Sequence, residues 1–239
     1  NAQWDRWAGH AKLGAASFWL TRKPERQARA CYSFCMCPGG MVIACASDPG
    51  HLTTNGMSYS HRSGAFGNAA FLVPVSPSDY PKKTGDIPAA LAGLAFQSDL
   101  EQKAFKAGGS DFSLPATGLL DFLGNREPLD IPEARSCQRA KPAALQHILP
   151  GYVYETLLSA LPPMLRQLRG IPMDKIIVYG SETRSSSPVR IQRNEDCQSL
   201  STKGLYPAGE GSGYSGGIVS SAVDGMHVAQ ALIEKAIVS

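Results

Sequence analysis

Residues 204–227 read GLYPAGEGSGYSGGIVSSAVDGMH, and no other stretch limits the fold of the chain so sharply. Five glycines fall between Gly209 and Gly217, a backbone so bare of Cβ atoms that a ligand can lie almost against it. The apolar run at 205–208 predicts a short strand before the loop. The spacing after it predicts a helix that begins near Gly217 and runs to the C-terminus, turning unpaired N–H groups and its positive dipole end toward the loop. Glu210 adds a carboxylate that can accept hydrogen bonds from ligand hydroxyls. The expectation is a strand–loop–helix cradle for a polyhydroxylated or anionic cofactor.

Two literal patterns in this loop fail their context. Gly211, Gly213 and Gly216 spell G-x-G-x-x-G, but that fingerprint needs a second parallel strand after its helix, and the residues up to Ser239 hold none. Gly213, Ser215 and Gly217 spell the G-x-S-x-G nucleophile elbow. Its nearest partners, Asp224 and His227, sit on the helix that Ser215 introduces and cannot fold back onto it. A serine hydrolase is therefore a rejected rival.

Apolar residues make up 43% of the 239-residue chain and charged residues 18%, an ordinary globular composition. A formal net charge of +3, scattered with no run longer than a pair such as Lys82-Lys83, argues against a nucleic-acid partner. No stretch has the length of a membrane span and no signal peptide is visible. Four of the six cysteines fall between Cys31 and Cys45 among apolar neighbours. They read as reduced thiols of a cytoplasmic protein, without a disulfide framework or a metal site.

Along the chain, 3–14 predicts a short helix carrying Trp4 and Trp7. Strands are expected at 17–22, 30–36, 41–47, 52–55 and 71–75, forming an antiparallel sheet, with a turn at Asp48-Pro49-Gly50. Helical spacing covers 89–107, with Leu91, Leu94, Leu100, Ala104 and Phe105 apolar and Gly108-Gly109 as its stop. Residues 124–150 read as irregular. A second helix is expected at 152–168, with Leu157, Leu158, Leu161, Leu165 and Leu168 on one side and a kink or break at Pro162-Pro163. Strands are expected at 176–179 and 189–192. The last helix should bury Val219, Ala222, Val223, Met226, Ala229, Leu232, Ile233 and Ala236, with Gly225 explained by a close backbone contact.

Three further constellations could carry chemistry. On a regular strand Cys31, Ser33, Cys35 and Cys37 share one face. Cys35 and Cys37 are candidates for redox chemistry, against the reading that small thiols merely pack, and Pro38, Gly39 and Gly40 let backbone approach a ring. His61, in a polar cluster after a strand, could exchange a proton near neutral pH, or could be an exposed turn residue. The segment 182–190, ETRSSSPVR, offers two guanidiniums and four hydroxyls. Arg184 could anchor an anion there, or could pair with Glu182 on a solvated hairpin.

The stretch 204–225 resembles the C-terminal flavin motif of bacterial FAD-dependent dehydrogenase-like proteins, which have the glutathione-reductase type of FAD domain. The segments YSFCMCPGG at 32–40 and ETRSSSPVR at 182–190 resemble the same family, in the family's order. The resemblance extends from about residue 13 onward. It implies FAD as cofactor, with Pro38, Gly39 and Gly40 beside the isoalloxazine ring and Glu210 on a ribityl hydroxyl. Gly209 and Gly211 complete the loop, and the N–H groups of Gly216, Gly217 and Ile218 fall near the pyrimidine edge. Arg184 is implied beside flavin or substrate.

The family's N-terminal G-x-G-x-x-G unit has no counterpart before residue 200. Asn1-Ala2 read as a tag remnant, and the chain as the C-terminal part of a larger flavoprotein. The expected class is α+β, with an antiparallel-sheet substrate or cap domain over 3–170 and the C-terminal lobe of an FAD/NAD(P)-binding fold over 171–239, lacking the N-terminal Rossmann βαβ. The expected partners are the N-terminal FAD-binding half of the same polypeptide, a small-molecule substrate and NAD(P)H. The rival from another class is a non-catalytic binding or assembly module with a degenerate flavoprotein fold.

Overall fold

The computed structural model describes residues 12, 20–23, 25, 29–81, 86–133, 135–168 and 170–238. The helix expected at 3–14, apart from Lys12, and residues 17–19 of the run 17–22 lie outside them. The chain packs as two compact units, one of residues 1–76 and 99–183, the other of 77–98 and 184–239. The division expected from the sequence lay near Gly170.

Unit 1 is an α+β body. Its β1 (Thr21–Arg22), β2 (Cys31–Cys37) and β5 (Asn68–Leu72) form an antiparallel sheet with β2 in the middle. A second antiparallel pair joins β3 (Gly40–Cys45) to β4 (Thr53–Ser58) in register from Gly40↔Ser58 to Cys45↔Thr53. The turn at Asp48-Pro49-Gly50 closes as expected: His51 N–H donates to the Asp48 carbonyl at 3.3 Å and Gly50 takes φ +74°.

A third sheet sets β6 (Leu114–Gly118) between parallel β7 (Ala140–Pro142) and antiparallel β8 (Ile177–Tyr179). Pro115 is tolerated in this central strand because its missing N–H falls on the β8 side where that ladder ends. Its carbonyl there accepts Gly180 N–H at 3.0 Å.

Helix α1 (Ala92–Ala107) crosses from unit 2 to unit 1 at Ser98 and Asp99 and stops at the two glycines, Gly109 taking φ +85°. Leu100 and Ala104 are buried, whereas Leu91 and Leu94 are exposed. A one-turn helix α2 (Leu119–Leu123) follows β6 directly. Helix α3 (Gly151–Leu165) buries Leu157, Leu161 and Leu165 as its spacing predicts. The expected break at Pro162-Pro163 does not occur: the helix runs through both prolines, which lack the N–H groups that would bond the Leu158 and Ser159 carbonyls, and ends two residues later at Leu165.

The core lies here, with Phe122 packed edge-on against Tyr154 at 5.0 Å beside Leu114, Leu119, Leu145 and Met164. The Tyr154 hydroxyl donates to the Phe122 carbonyl at 2.8 Å, so its buried polar end is satisfied.

Unit 2 holds one long helix, α4 (Ile218–Val238), and a chain of loops. Neither expected strand, 189–192 or 205–208, forms; among its described residues only the isolated pair Arg193↔Ser199 bridges. The donors and acceptors of both segments are taken one at a time by other groups. Ile191 N–H donates to the Ser212 carbonyl at 3.1 Å, Leu200 N–H to Gln192 at 3.1 Å, and Arg193 Nη1 to the Pro207 carbonyl at 2.7 Å. No partner strand is left to extend a ladder. Among the described residues no helix is long and apolar enough to cross a membrane.

The face of α4 expected to be buried is open. Val219 is 76% exposed, Met226 70% and Ile233 59%, with Val223 and Leu232 exposed too, while Val228 is buried. Periodicity identifies an apolar face but not what covers it. No atom lies within 4 Å of a Cβ placed on Gly225, so the close contact expected there is absent. The side chain of Ala236 is outside those described.

Candidate cofactor site

The glycine loop of unit 2 is a built structure. Arg193 and Asp224, with side chains 12% and 15% exposed, form a forked ion pair with contacts of 2.6 and 3.0 Å. Asp224 Oδ2 also accepts the Gly209 N–H at 2.8 Å. The Arg193 guanidinium lies 3.7 Å from the Tyr214 ring centroid, and Arg190 lies 4.8 Å from the same ring while donating to the Gly213 carbonyl. The Tyr214 hydroxyl accepts Arg193 N–H at 3.1 Å and donates to the Ile191 carbonyl at 3.1 Å.

Hydrogen bonding to Arg193 holds the Asp224 carboxyl below its ordinary value, and the same bond raises Arg193. One carboxylate on α4 thus fixes both ends of the approach to the loop. Sequence reasoning missed this role. Asp224 suggested only a triad partner, and no motif links it to an arginine 31 positions away.

Within that frame the loop uses its glycines unequally. Gly209 and Gly213 adopt φ +70° and +85°, where a side chain is strained. A Cβ on Gly213 would strike the Val189 carbonyl. Gly211 and Gly216 instead have no atom within 4 Å of a Cβ position, so their backbone faces open space. Glu210 opens a short 3₁₀ turn, Glu210–Ser212, and its carboxylate has no hydrogen bond among the described residues.

At the start of α4 the Gly217 N–H is already taken by Ser220 Oγ at 3.2 Å. The donors left for a ligand are those of Gly216 and Ile218. These residues fit a hydroxyl-rich group lying over Gly211 and Gly216.

Ser215 does not belong to a triad. Its hydroxyl lies 2.7 Å from that of Ser221, and Asp224 is committed to Arg193 and Gly209.

The unit 1 candidates have a different geometry. Strand β2 carries a bulge, because three steps from Phe34 to Cys37 match two from Ala70 to Asn68. Cys35 sits in the bulge at φ +44°. The alternation therefore breaks, and the expected shared face is not found: Cys31 and Ser33 are buried, Cys35 is exposed and Cys37 is half-buried. Burial pushes the Cys31 thiol up to about 12 and raises Cys37 and Cys45 as well. None of these three is an activated thiolate.

Close approach at Gly39 and Gly40 is used by the chain itself. A Cβ on Gly39 would meet the Arg62 carbonyl, and one on Gly40 the Met57 carbonyl. Ser58 Oγ donates to the Pro38 carbonyl at 3.0 Å. His61 is exposed, edge-on to Tyr59 at 5.5 Å and 3.5 Å from Ser63 Oγ. Arg184 is an exposed residue at the edge of unit 2. Among the described residues no group of three His, Cys, Asp or Glu is placed to hold a metal.

The family described as "FAD-dependent protein, C-terminal domain-like" matches residues 1–185. A protein of Clostridium beijerinckii, described as an uncharacterized protein, is 42% identical over 228 residues, which is 95% of this chain and 42% of the relative. The chain thus spans under half the length of that relative.

Proposed function

The chain belongs to the FAD-dependent protein, C-terminal domain-like family, and from that premise we propose that it is the C-terminal portion of a cytoplasmic FAD-dependent oxidoreductase of the dehydrogenase type. It supplies the isoalloxazine-side and substrate-side residues of a flavin pocket with the glutathione-reductase kind of FAD domain. The observation that carries this reading is the Glu210 carboxylate, without a hydrogen bond among the described residues, beside the open backbone of Gly211 and Gly216. Bound flavin supplies hydride and electron transfer.

The residues of the chain bind and tune. Glu210 accepts hydrogen bonds from ribityl hydroxyls, and the Gly216 and Ile218 N–H groups face the pyrimidine edge. The N-terminal end of α4 favours negative charge building up there. Arg184 anchors an anionic group of the substrate.

The N-terminal FAD-binding half of the same polypeptide is the proposed partner of the apolar face of α4. Val219, Met226 and Ile233, all exposed, recur every seven residues along one side of that helix. NAD(P)H and a small molecule are the proposed reactants, with no role for nucleic acid or membrane.

The test is the visible absorbance of the full-length polypeptide and of this chain alone. Flavin bands at one equivalent in the former, and no retained flavin in the latter, are expected. A colourless full-length protein would favour the second reading, a binding module whose interaction surface is the same α4 face.

A further inference from the structure

Two oppositely charged side chains at the glycine loop of unit 2 are both tied to Gly213. Its N–H donates to the Glu210 carbonyl at 2.8 Å, and its own carbonyl accepts Arg190 Nε–H at 2.9 Å. The Glu210 carboxylate and the Arg190 guanidinium attract each other, yet no ion pair joins them, and neither pairs with another charged group among the described residues. The backbone keeps them apart, with the 3₁₀ turn Glu210–Ser212 and the left-handed Gly213 standing between them. That turn contains Gly211, which has no atom within 4 Å of a Cβ position.

Arg190 is exposed but held. Its Nε–H bond fixes one edge of the guanidinium, and the plane lies 4.8 Å from the Tyr214 ring centroid. The backbone beneath is anchored too, because Ile191 N–H donates to the Ser212 carbonyl at 3.1 Å. Both terminal NH2 groups are left without an acceptor among the described residues. Arg193 on the same ring gives the contrast, since its terminal donors go to Asp224 and the Pro207 carbonyl.

A cation that is merely solvated keeps its rotamer freedom. Arg190 has given up much of it and receives no anion from the chain in return. A planar fork held in this way suits an oxyanion. A phosphate brings three acceptor oxygens to it, more than a carboxylate can. Glu210 calls for the opposite, a group that donates, such as a hydroxyl.

We propose that this loop recognises a polyol phosphate. Its hydroxyls donate to Glu210, its carbon chain crosses the open backbone of Gly211, and its phosphate meets the terminal NH2 groups of Arg190. The event is binding alone. The ribityl phosphate segment of a flavin nucleotide belongs to this class, and only that identification rests on the flavoprotein reading.

The test is a titration of the whole chain, free of flavin, with three probes: ribitol phosphate, ribitol and inorganic phosphate. Binding is read at the directly assigned ¹⁵Nε resonance of Arg190, with the exposed Arg166 as internal reference. Ribitol phosphate is expected to bind at least about tenfold more tightly than either fragment, and to move Arg190 while leaving Arg166 in place. Arg190→Gln should weaken it about tenfold, and Glu210→Gln should bring it down to the level of inorganic phosphate. Ribitol phosphate binding no tighter than inorganic phosphate, equal shifts at Arg190 and Arg166, or unchanged affinity in Arg190→Gln overturns the proposal. If Arg190→Gln loses the native amide shifts of residues 209–218, the comparison of the three probes on the wild type decides. Failure here leaves the absorbance test of the flavin reading standing, and a colourless full-length protein leaves this titration standing.

Discussion

In unit 1, buried Leu114, Leu119, Phe122, Leu145, Leu161 and Met164 meet in one hydrocarbon cluster under three small sheets. In unit 2, Ala92, Pro207 and Val228 are the only buried apolar side chains among the described residues, and Arg193, Asp224 and Tyr214 do the holding. The contrast separates two jobs. A close-packed interior fixes backbone against backbone and leaves little room for a ligand. A polar network around glycines leaves the loop open while still fixing its ends, which suits a binding surface. It also leaves the long helix of unit 2 with uncovered hydrocarbon, which a self-contained domain would have buried.

The largest way to break the comparison is in the hydrocarbon. Phe122→Ala should cost about 3–5 kcal/mol of unit 1 stability, read from chemical denaturation. A loss below about 1 kcal/mol would mean that the cluster is not the true core. Next comes the network: Asp224→Ala leaves a mostly buried guanidinium without its carboxylate and should cost about 3 kcal/mol, seen as faster amide exchange at Gly209, Gly213 and Tyr214.

Acid should act in the same direction and less completely. The Asp224 pKa is lowered in the fold, chiefly by its hydrogen bond to Arg193. Its contribution is therefore complete above about pH 4 and is lost as pH falls through the folded-state value. The Gly209 amide shift should follow that loss. An unchanged shift down to about pH 2 would place the stabilisation elsewhere. The smallest effect is expected on the uncovered face of α4, where Met226→Lys should change stability by no more than about 0.5 kcal/mol while improving solubility. A larger loss would mean that this side chain is packed.

The sequence disclosed what local chemistry decides. The β2 to β4 runs, the Gly50 turn, the Gly108-Gly109 stop and the buried leucines of α3 were legible from alternation, turn residues and helical spacing, whereas the strand expected at 71–75 forms three residues earlier, at Asn68–Leu72. What it concealed depends on partners. Residues 189–192 and 205–208 have strand composition but no neighbouring strand, so they stay single. The bulge at Cys35 comes from the register imposed by β5, and it moves Cys35 off the face that a regular strand would give it. Helix α4 was legible as a helix with an apolar face, but coverage is a property of the rest of the molecule. At the candidate site, the strand expected before the loop did not form, while the glycine-rich loop and the helix after it were legible. The Arg193–Asp224 pair that holds the loop was not, because 31 residues separate its members and no spacing rule joins them.

The most direct test of the flavin site is the FAD dissociation constant of the full-length polypeptide, compared between the wild type and Glu210→Ala. Loss of a charge-assisted hydrogen bond to a ribityl hydroxyl predicts binding about tenfold weaker, or more. Equal affinity in the two proteins would contradict the placement of flavin on the Gly209–Ile218 loop.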